Sequence, residues 1–417
     1  MTEAVAVNRA EMGSGTRYFV PIEQNERPRR TVGEWFRKYF LEGQKLERQT
    51  QAHINPKDLP FHERYRKYLA TLIPFVIMHA IWWSMAIRYN LFRLYPTRYE
   101  LAITMILGAF VAGATSEGGG AIAFPVMTLM LHIAPDVARD FSLIIQVAGM
   151  ATSSFAILWM GVKVEWHSII YSSIGAGVSI ILGLQFWDNL LDPQQKKMMF
   201  VSIWFSFAIS LLILNLQKKR VTFDNIPNFK PWKAIALVAA GFFGGILSAF
   251  TGSGVDICSF SILTLLFRVS EKVATPTSVI LMFLNALIGS YWRVLMQQGV
   301  SQLAYEYFAV SVPVVVTCSP IGAFVSSHLH RQVLACFVYI LETLAVLGFL
   351  ITGPKWTLIV AGAVIIIVGF TFFYIIAKLG QKLSGVESER QSNESLAVNN
   401  MTFLDRRSST NSSGVVV

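Results

Sequence analysis

Charged side chains are scarce in this sequence, because Asp, Glu, Lys and Arg together make up only 14% of its 417 residues. An ordinary soluble domain has about 25%. The hydrophobic fraction is 53% and the mean hydropathy is +0.50. Apolar runs recur along the chain and reach the roughly 20 residues that a membrane helix needs. This combination predicts an all-α polytopic membrane protein.

The sequence also lacks the motifs that indicate catalysis. It contains no HExxH, no GxSxG and no nucleotide-binding P-loop, and its histidines are not clustered. Cys258, Cys318 and Cys336 lie in apolar segments without the spacing of metal ligands. We therefore expect a protein that is not an enzyme, needs no cofactor or metal, and does not itself hydrolyse ATP.

Positive charge is unevenly distributed. The net charge is +10, and the basic residues crowd into the two ends and one central loop that includes Lys218, Lys219 and Arg220. Loops rich in Lys and Arg mark the cytoplasmic side of a membrane protein. The sequence has no soluble basic face of the kind that binds nucleic acid. We expect a plasma-membrane protein with both termini in the cytoplasm.

Composition divides the chain into six regions. They are a cytoplasmic N-terminal region at 1–68 with an amphipathic helix at about 31–49, a first transmembrane helix and loop at 69–99, a first transmembrane repeat at 100–216, a basic cytoplasmic linker at 217–232, a second repeat with a last helix at 233–377, and a disordered cytoplasmic tail at 378–417.

Two glycine-rich stretches, Gly113–Pro125 and Gly244–Asp256, interrupt the apolar segments. A helix broken inside a membrane leaves backbone groups that protein, water or ligand must satisfy. A helix that starts at such a break directs free N–H groups and a positive dipole end towards an anion. Each break either joins two short helices in a membrane-embedded hairpin or interrupts one crossing. The alternative to a binding role is close helix packing through small residues.

The candidate substrate-binding residues lie at these breaks and on the segments that follow them. They are Thr115, Ser116, Gly118, Gly119, Gly120, Thr251, Gly252, Ser253, Gly254, Gln146, Asn285 and Arg293. Gln146 and Asn285 could equally join helices. Arg293 is explained more simply as an arginine that reaches the membrane interface beside Tyr291 and Trp292.

Glu117 and Asp256 are the carboxylates nearest the two breaks. An ionisable group at membrane depth is costly and marks a coupling site by default. Both residues are therefore candidates for coupling transport to protons or sodium ions. The alternative is a helix-capping role, since each lies close to a helix start.

The two halves of the chain resemble each other. Val137–Ile144 aligns with Val273–Ile280, and Gly118–Gly120 aligns with Gly252–Gly254. Counted from the basic segments, the first repeat crosses the membrane an odd number of times, by five short crossings or by a hairpin plus three. An odd number predicts inverted repeats, as in many secondary transporters. Parallel repeats remain open if the first span is peripheral.

At these breaks the sequence resembles the TauE/SafE family, also called the sulfite exporter or toluene-sulfonate uptake permease family. The resemblance rests on Gly108–Pro125 with Ala134–Ala138, and on Gly241–Asp256 with Val273–Ser278. It implies a two-repeat membrane transporter of sulfur-containing or other organic anions. Glu117 departs from the small or apolar residue expected there, and Asp256 adds a second acid. Both would repel an anion unless protonated or paired.

These observations together predict a secondary active transporter that moves a small anion by alternating access around a midplane site. Sulfite, a sulfonate or sulfoacetate is the expected substrate, with another organic anion or carboxylate as the alternative. A channel or a membrane-embedded enzyme is the second alternative. The expected partners are the anion, membrane lipids and a coupling proton or sodium ion, and the sequence leaves the oligomeric state open.

Overall fold

A computed structural model describes residues 65–115, 119–216, 222–326 and 331–412. The predicted amphipathic helix at about 31–49 lies outside these ranges, and so do Ser116, Glu117 and Gly118. The described residues form twelve α-helices and no strand, with one isolated bridge between Phe223 and Val269. The all-α class predicted from composition is confirmed.

The helices follow one another with short connections. They are α1 Arg66–Tyr89, α2 Tyr95–Ala114, α3 Gly120–Pro125, α4 Pro135–Met160, α5 Trp166–Leu182, α6 Pro193–Leu216, α7 Pro231–Thr251, α8 Val255–Ser261, α9 Glu271–Tyr291, α10 Gln302–Ser326, α11 Arg331–Ile351 and α12 Trp356–Ser412. Eight of these twelve, namely α1, α4, α5, α6, α7, α9, α10 and α12, are long and apolar enough to cross a membrane.

The elements from α2 to α6 and from α7 to α11 come in the same order. Each series has a long helix, a break, a short helix that ends in a π-helical turn, and then three long helices. A residue with positive φ lies two positions after the end of each π-helical turn. It is His132 in the first series, with φ 53°, and Arg268 in the second, with φ 55°. The predicted internal repeat requires such a correspondence, and the repeat itself stays a prediction.

Contacts at both ends show how α4 and α9 are oriented. Asp140, near the start of α4, accepts hydrogen bonds from Arg293, just after α9. Glu165, which follows α4, donates its backbone N–H to Thr277 Oγ1 near the start of α9, at 2.9 Å. The two helices therefore run antiparallel.

Two other helix pairs come into backbone contact through glycines. A methyl group at Gly113 of α2 would lie 1.9 Å from the carbonyl oxygen of Ser319 in α10, and one at Gly241 of α7 would lie 2.0 Å from that of Ser172 in α5. Only glycine permits such an approach. In each pair the contacts advance along both helices in the same direction, so α2 is parallel to α10, and α7 is parallel to α5.

The chain reverses direction at each break. In α4 and α10, Gly149 lies against Val315, and Ala156 clusters with Phe324, so α4 is also parallel to α10. Since α2 and α4 then point the same way, the short α3 between them must return the chain to the side from which α2 entered. The second half repeats this geometry with α7, α8 and α9. Each break is thus the turn of a helical hairpin and not an interruption within one crossing, which decides between the two arrangements that the sequence left open.

The two ends of the bundle are distinguished below as the linker end and the distal end. The linker end holds residues 222–230, where the Ile226 N–H donates to Glu165 Oε2 at 2.9 Å. The distal end holds the connection between α5 and α6, which includes Asp188 and leads to Lys196.

The last helix is longer than the sequence predicts. Disorder is expected from residue 378, whereas α12 continues as helix to Ser412. No proline follows Pro354, so nothing in the later sequence removes a backbone donor from the helical hydrogen-bond ladder.

Candidate functional site

The two breaks meet in the interior of the bundle. A methyl group at Gly120, where α3 begins, would lie 3.0 Å from Ser253 Cβ in the second break. The same methyl group would lie 2.7 Å from Gln146 Nε2 of α4. The structure therefore brings together Gly120, Gln146 and Ser253, which were predicted from three separate parts of the sequence.

Helix α4 supplies polar side chains at this junction. Gln146 is buried, and its Nε2 donates to the Gly252 carbonyl oxygen at 2.8 Å. Ser142 lies one turn earlier, and its buried hydroxyl has no hydrogen-bond partner among the described residues. A methyl group at Gly252 would lie 2.6 Å from Ser142 Cβ. Gln146 thus joins α4 to the second break, while Ser142 contributes an unused hydroxyl.

The second break is a tight turn between α7 and α8. Gly252 ends α7 with φ +82°, a left-handed conformation that favours glycine. The Thr251 hydroxyl lies 3.0 Å from the Leu247 carbonyl oxygen and 2.9 Å from that of Ser253. A methyl group at Gly254 would lie 2.8 Å from the Gly244 carbonyl oxygen in α7. Gly254 therefore has a packing role within the hairpin.

Asp256 lies at the start of α8 and is fully buried. Ser253 Oγ donates to its Oδ2 at 2.8 Å. Oδ1 has no hydrogen-bond partner of normal geometry within the described ranges, and the amides of Gly254 and Ile257 lie nearby. The carboxylate thus occupies the N-terminal end of its own helix, where an anionic ligand would otherwise bind. This placement is compatible with both predicted roles of Asp256, which are capping of the helix and coupling of transport to protons or sodium ions.

The first break is described only at its edges. Thr115 Oγ1 donates to the Val111 carbonyl oxygen within α2 at 2.8 Å. Gly119 has φ −65°, and a methyl group there would find its nearest neighbour 3.6 Å away, at Met105 Cε. Ser116, Glu117 and Gly118 fall between the described ranges, so their predicted roles stay predictions.

Two other predicted ligands are placed elsewhere on α9 and its continuation. Asn285 is buried, and its Oδ1 has no partner in the part of the chain that the structure describes. Arg293 is committed to protein groups. Its Nε and Nη2 donate to Asp140 at 2.9 and 2.6 Å, its Nη1 donates to Gln297 Oε1, and Nη2 also donates to the Gly299 carbonyl oxygen. In this geometry the Arg293 guanidinium is paired with Asp140, and its predicted role as a substrate ligand stays a prediction.

A buried ion network surrounds this arginine at the distal end. Arg139 is fully buried, donates to Asp140 Oδ1 at 2.8 Å and pairs with Asp188. Lys196 bonds both Asp188, at 3.1 Å, and Asp136, at 2.5 Å. Counting Arg293, three cations face three carboxylates, so the cluster is electrically balanced. It joins α4, α6, the α5–α6 connection and the segment after α9.

Sequence reasoning missed this network, which we call the distal ion network. Arg139 and Asp140 are adjacent charged residues near the start of the membrane-spanning α4, and that pair was the available signal. Asp188 lies in the connection after α5. Burial by itself raises the pKa of Asp188, but the charges of Arg139 and Lys196 outweigh it and hold the pKa below its ordinary value.

Paired helical hairpins with a polar junction inside an apolar bundle are typical of a membrane transport protein. A family model described as Sulfite exporter TauE/SafE matches residues 101–350, which is more than half of the chain. This chain belongs to the TauE/SafE sulfite exporter family. The resemblance seen in the sequence is confirmed.

One curated relative is described as a probable membrane transporter protein, YunE, from Bacillus subtilis (strain 168). It is 25% identical to this chain over 218 residues, which cover 46% of this chain and 77% of that protein. No solved structure matches the chain. Family and relative agree on membrane transport.

Proposed function

We propose that this chain is a secondary active transporter that moves a small anion by alternating access around the junction of the two breaks. The observation that carries the proposal is the meeting of Gly120, Gln146 and Ser253, because a site shared by both halves is what a two-repeat transporter needs. A sulfur-containing anion such as sulfite, a sulfonate or sulfoacetate is the proposed substrate. The family description supports that choice, and another organic anion or a carboxylate is the alternative.

In this proposal the anion is held by neutral donors. The Ser142 hydroxyl, the Ser253 hydroxyl and the amides at the start of α8 are the groups nearest the junction. Donors at a helix start bind anions without a fixed positive charge. A tetrahedral or pyramidal oxyanion offers several acceptor oxygens, which matches several donors that converge from different helices.

Asp256 sets the conditions for binding. As a carboxylate it holds the Ser253 hydroxyl and repels an anion. When protonated it loses its charge, and Ser253 is then released to the substrate. We infer that anion and proton occupy the site together, so that a proton gradient drives anion movement. Sodium coupling is the alternative.

The distal ion network closes one side in this proposal. It connects α4 of the first half with the end of α9 in the second half through the Asp140–Arg293 pair. Access from the distal end requires these helices to separate. At the linker end the contacts between the same two helices include the neutral hydrogen bond from the Glu165 N–H to Thr277 Oγ1. That difference favours opening towards the linker end.

The test is flux in proteoliposomes that contain the full chain. Labelled sulfite, a sulfonate and a dicarboxylate are measured with a pH gradient, with a sodium gradient and with neither. We expect sulfite or sulfonate flux that depends on the pH gradient. Asp256→Asn should abolish that dependence, whereas Asp192→Asn, an exposed carboxylate at the distal end, should not.

Three results would count against the proposal. Flux of none of the three anions would remove anion transport. Flux that depends on sodium but not on pH would remove proton coupling. Equal gradient dependence in Asp256→Asn and the unmodified chain would remove Asp256 as the coupling group.

A further inference from the structure

A cavity of about 110 Å³ opens near the linker end, away from the junction of the breaks. It lies where α6, the end of the α8 segment and α12 come together. Its lining includes Ile213, Leu265, Arg268, Phe373 and Lys378. It takes no part in the proposed transport site.

Two cations mark the polar side of this cavity. Arg268 is buried, and its Nη2 donates to the Ala377 carbonyl oxygen of α12 at 2.9 Å. Lys378 is exposed and lies over the Tyr374 ring, with Nζ 5.0 Å from the ring centroid. No acidic side chain lines the cavity among the residues that the structure describes. The electrostatic preference of the cavity is therefore for an anion.

The remaining lining is apolar and continues onto the lipid-facing surface. Phe370, Phe373 and Ile213 line the cavity. On α12, which also carries Phe370 and Phe373, the side chains of Ile375 and Leu379 are exposed. Exposed apolar side chains on a membrane helix face acyl chains. A ligand that binds both the two cations and the apolar lining has an anionic head and a hydrocarbon tail.

The position of the cavity agrees with this chemistry. The Arg268 carbonyl oxygen accepts from the Phe223 N–H at 2.9 Å, so the cavity lies directly under the linker. The linker carries the basic sequence that predicts a cytoplasmic side. That leaflet is the anionic one, and basic pockets between transmembrane helices there bind anionic head groups.

Close backbone packing shapes the cavity wall. A methyl group at Gly380 of α12 would lie 2.0 Å from the Leu265 carbonyl oxygen. This contact brings the last turns of the membrane-spanning part of α12 against the segment that carries Arg268. The two cations are thereby held on neighbouring elements rather than on independent loops.

We propose that this cavity is a binding site for one anionic phospholipid, with its phosphate between Arg268 and Lys378 and an acyl chain along Ile213, Phe370 and the exposed face of α12. The lipid joins α6 to α12 at the linker end. This proposal does not depend on the transported substrate, and it holds whether or not the transport proposal is correct.

Native mass spectrometry of the purified full chain tests the proposal with phosphatidylglycerol and phosphatidylcholine as probes. We expect tighter binding of phosphatidylglycerol. Lys378→Gln should weaken it about fivefold, the effect of about one basic residue near an anionic surface. Lys355→Gln, an exposed lysine at the opposite end of α12, is the matched control and should leave it unchanged. Binding of phosphatidylcholine should not change in either variant.

Equal binding of the two lipids by the unmodified chain would overturn the proposal, and so would an equal loss in both lysine variants or no loss in Lys378→Gln. A second measurement follows thermal unfolding in nanodiscs of each lipid. Phosphatidylglycerol should raise the midpoint of the unmodified chain more than that of Arg268→Gln. If Arg268→Gln does not fold, Lys378→Gln takes its place in the same comparison, and an equal rise in both chains contradicts the site.

Discussion

The second break contains a glycine in a left-handed conformation and a buried carboxylate within five positions of each other. Gly252 adopts a left-handed conformation against Ser142, and Asp256 is buried beside Ser253. A carboxylate that is fully buried at membrane depth is costly. Its position at the junction is the basis for the proposal that it couples transport to protons.

The two glycines Gly252 and Gly119 form a matched pair for a test. Gly252→Ala places a side chain at φ +82° and 2.8 Å from the Arg139 carbonyl oxygen. The left-handed conformation alone costs an L-residue about 1–2 kcal/mol, and the close contact adds to it. We expect a lower thermal midpoint and little transport. Gly119→Ala has room and a right-handed φ, so its midpoint should stay near that of the unmodified chain. Equal midpoints for the two variants would contradict this geometry.

Ionised Asp188 stabilises the folded chain near neutral pH, and this contribution is lost at acidic pH. Its pKa is held below the unfolded value of about 3.9. A depressed carboxyl pKa contributes stability above the unfolded pKa, and this contribution is lost as pH falls through the folded value. The difference in thermal midpoint between the unmodified chain and Asp188→Asn should be constant near neutral pH and shrink below about pH 4. A difference that grows on acidification would refute the assignment.

At the scale of helices, α4 and α9 are connected by an ion pair at the distal end. Asp140 is buried between Arg139 and Arg293, and each of the two arginines bonds it through two nitrogens. Buried ion pairs add little net stability compared with apolar packing, but removal of one partner leaves an uncompensated charge. The network therefore acts more on the relative position of the helices than on total stability.

A double-mutant cycle tests the ion pair between Asp140 and Arg293. Asp140→Asn should destabilise the chain by about 3–5 kcal/mol, because it leaves two buried guanidinium groups with one fewer carboxylate. Arg293→Gln combined with it should cost less than the sum of the single changes, with a coupling of about 0.5–3 kcal/mol. Arg98→Gln, which breaks the separate pair with Glu306, is the control and should be additive with Asp140→Asn. Chemical denaturation measures all the variants, and additivity in both pairs would argue against a direct Asp140–Arg293 bond.

At the scale of the whole molecule, helix directions give a consistent topology. The linker end holds the start of α1, the residues at 222–230 and the Arg268–Ala377 contact of α12, whereas the distal end holds the ion network. Because each hairpin returns the chain to the side from which it came, the three helices α4 to α6 make the number of crossings in the first half odd. An odd number of crossings is the condition for the predicted inverted repeats, and the antiparallel α4 and α9 agree with it.

Site-directed labelling in intact cells tests this topology. In a chain whose three native cysteines are replaced by serine, Asp224→Cys lies at the linker end and Asp192→Cys at the distal end, and both positions are exposed. A membrane-impermeant maleimide should label Asp192→Cys in intact cells and Asp224→Cys only after lysis. Labelling of both positions from the same side would contradict the topology, and the reverse pattern would contradict the cytoplasmic assignment of the linker.

The amino-acid sequence by itself determined the membrane class, the helix order and the place of both breaks. Hydrophobic run length and glycine clusters are local properties, so no tertiary information is needed to read them. The sequence also singled out Gln146, Ser253 and Asp256 as candidate site residues. It left open whether each break is a hairpin or a crossing, because both fit the same run lengths.

Only the tertiary structure decided which distant groups meet. The hairpins follow from helix directions, which depend on contacts such as Gly113 against Ser319. Arg293 was one of the candidate substrate ligands, and in the structure it pairs with Asp140, which lies 153 positions away in the chain. Charge pairing across such a separation depends on how the helices pack, and no local pattern encodes it. The breaks that stand out in the sequence meet in the interior of the bundle, where Gln146 of α4 lies between Gly120 and Gly252.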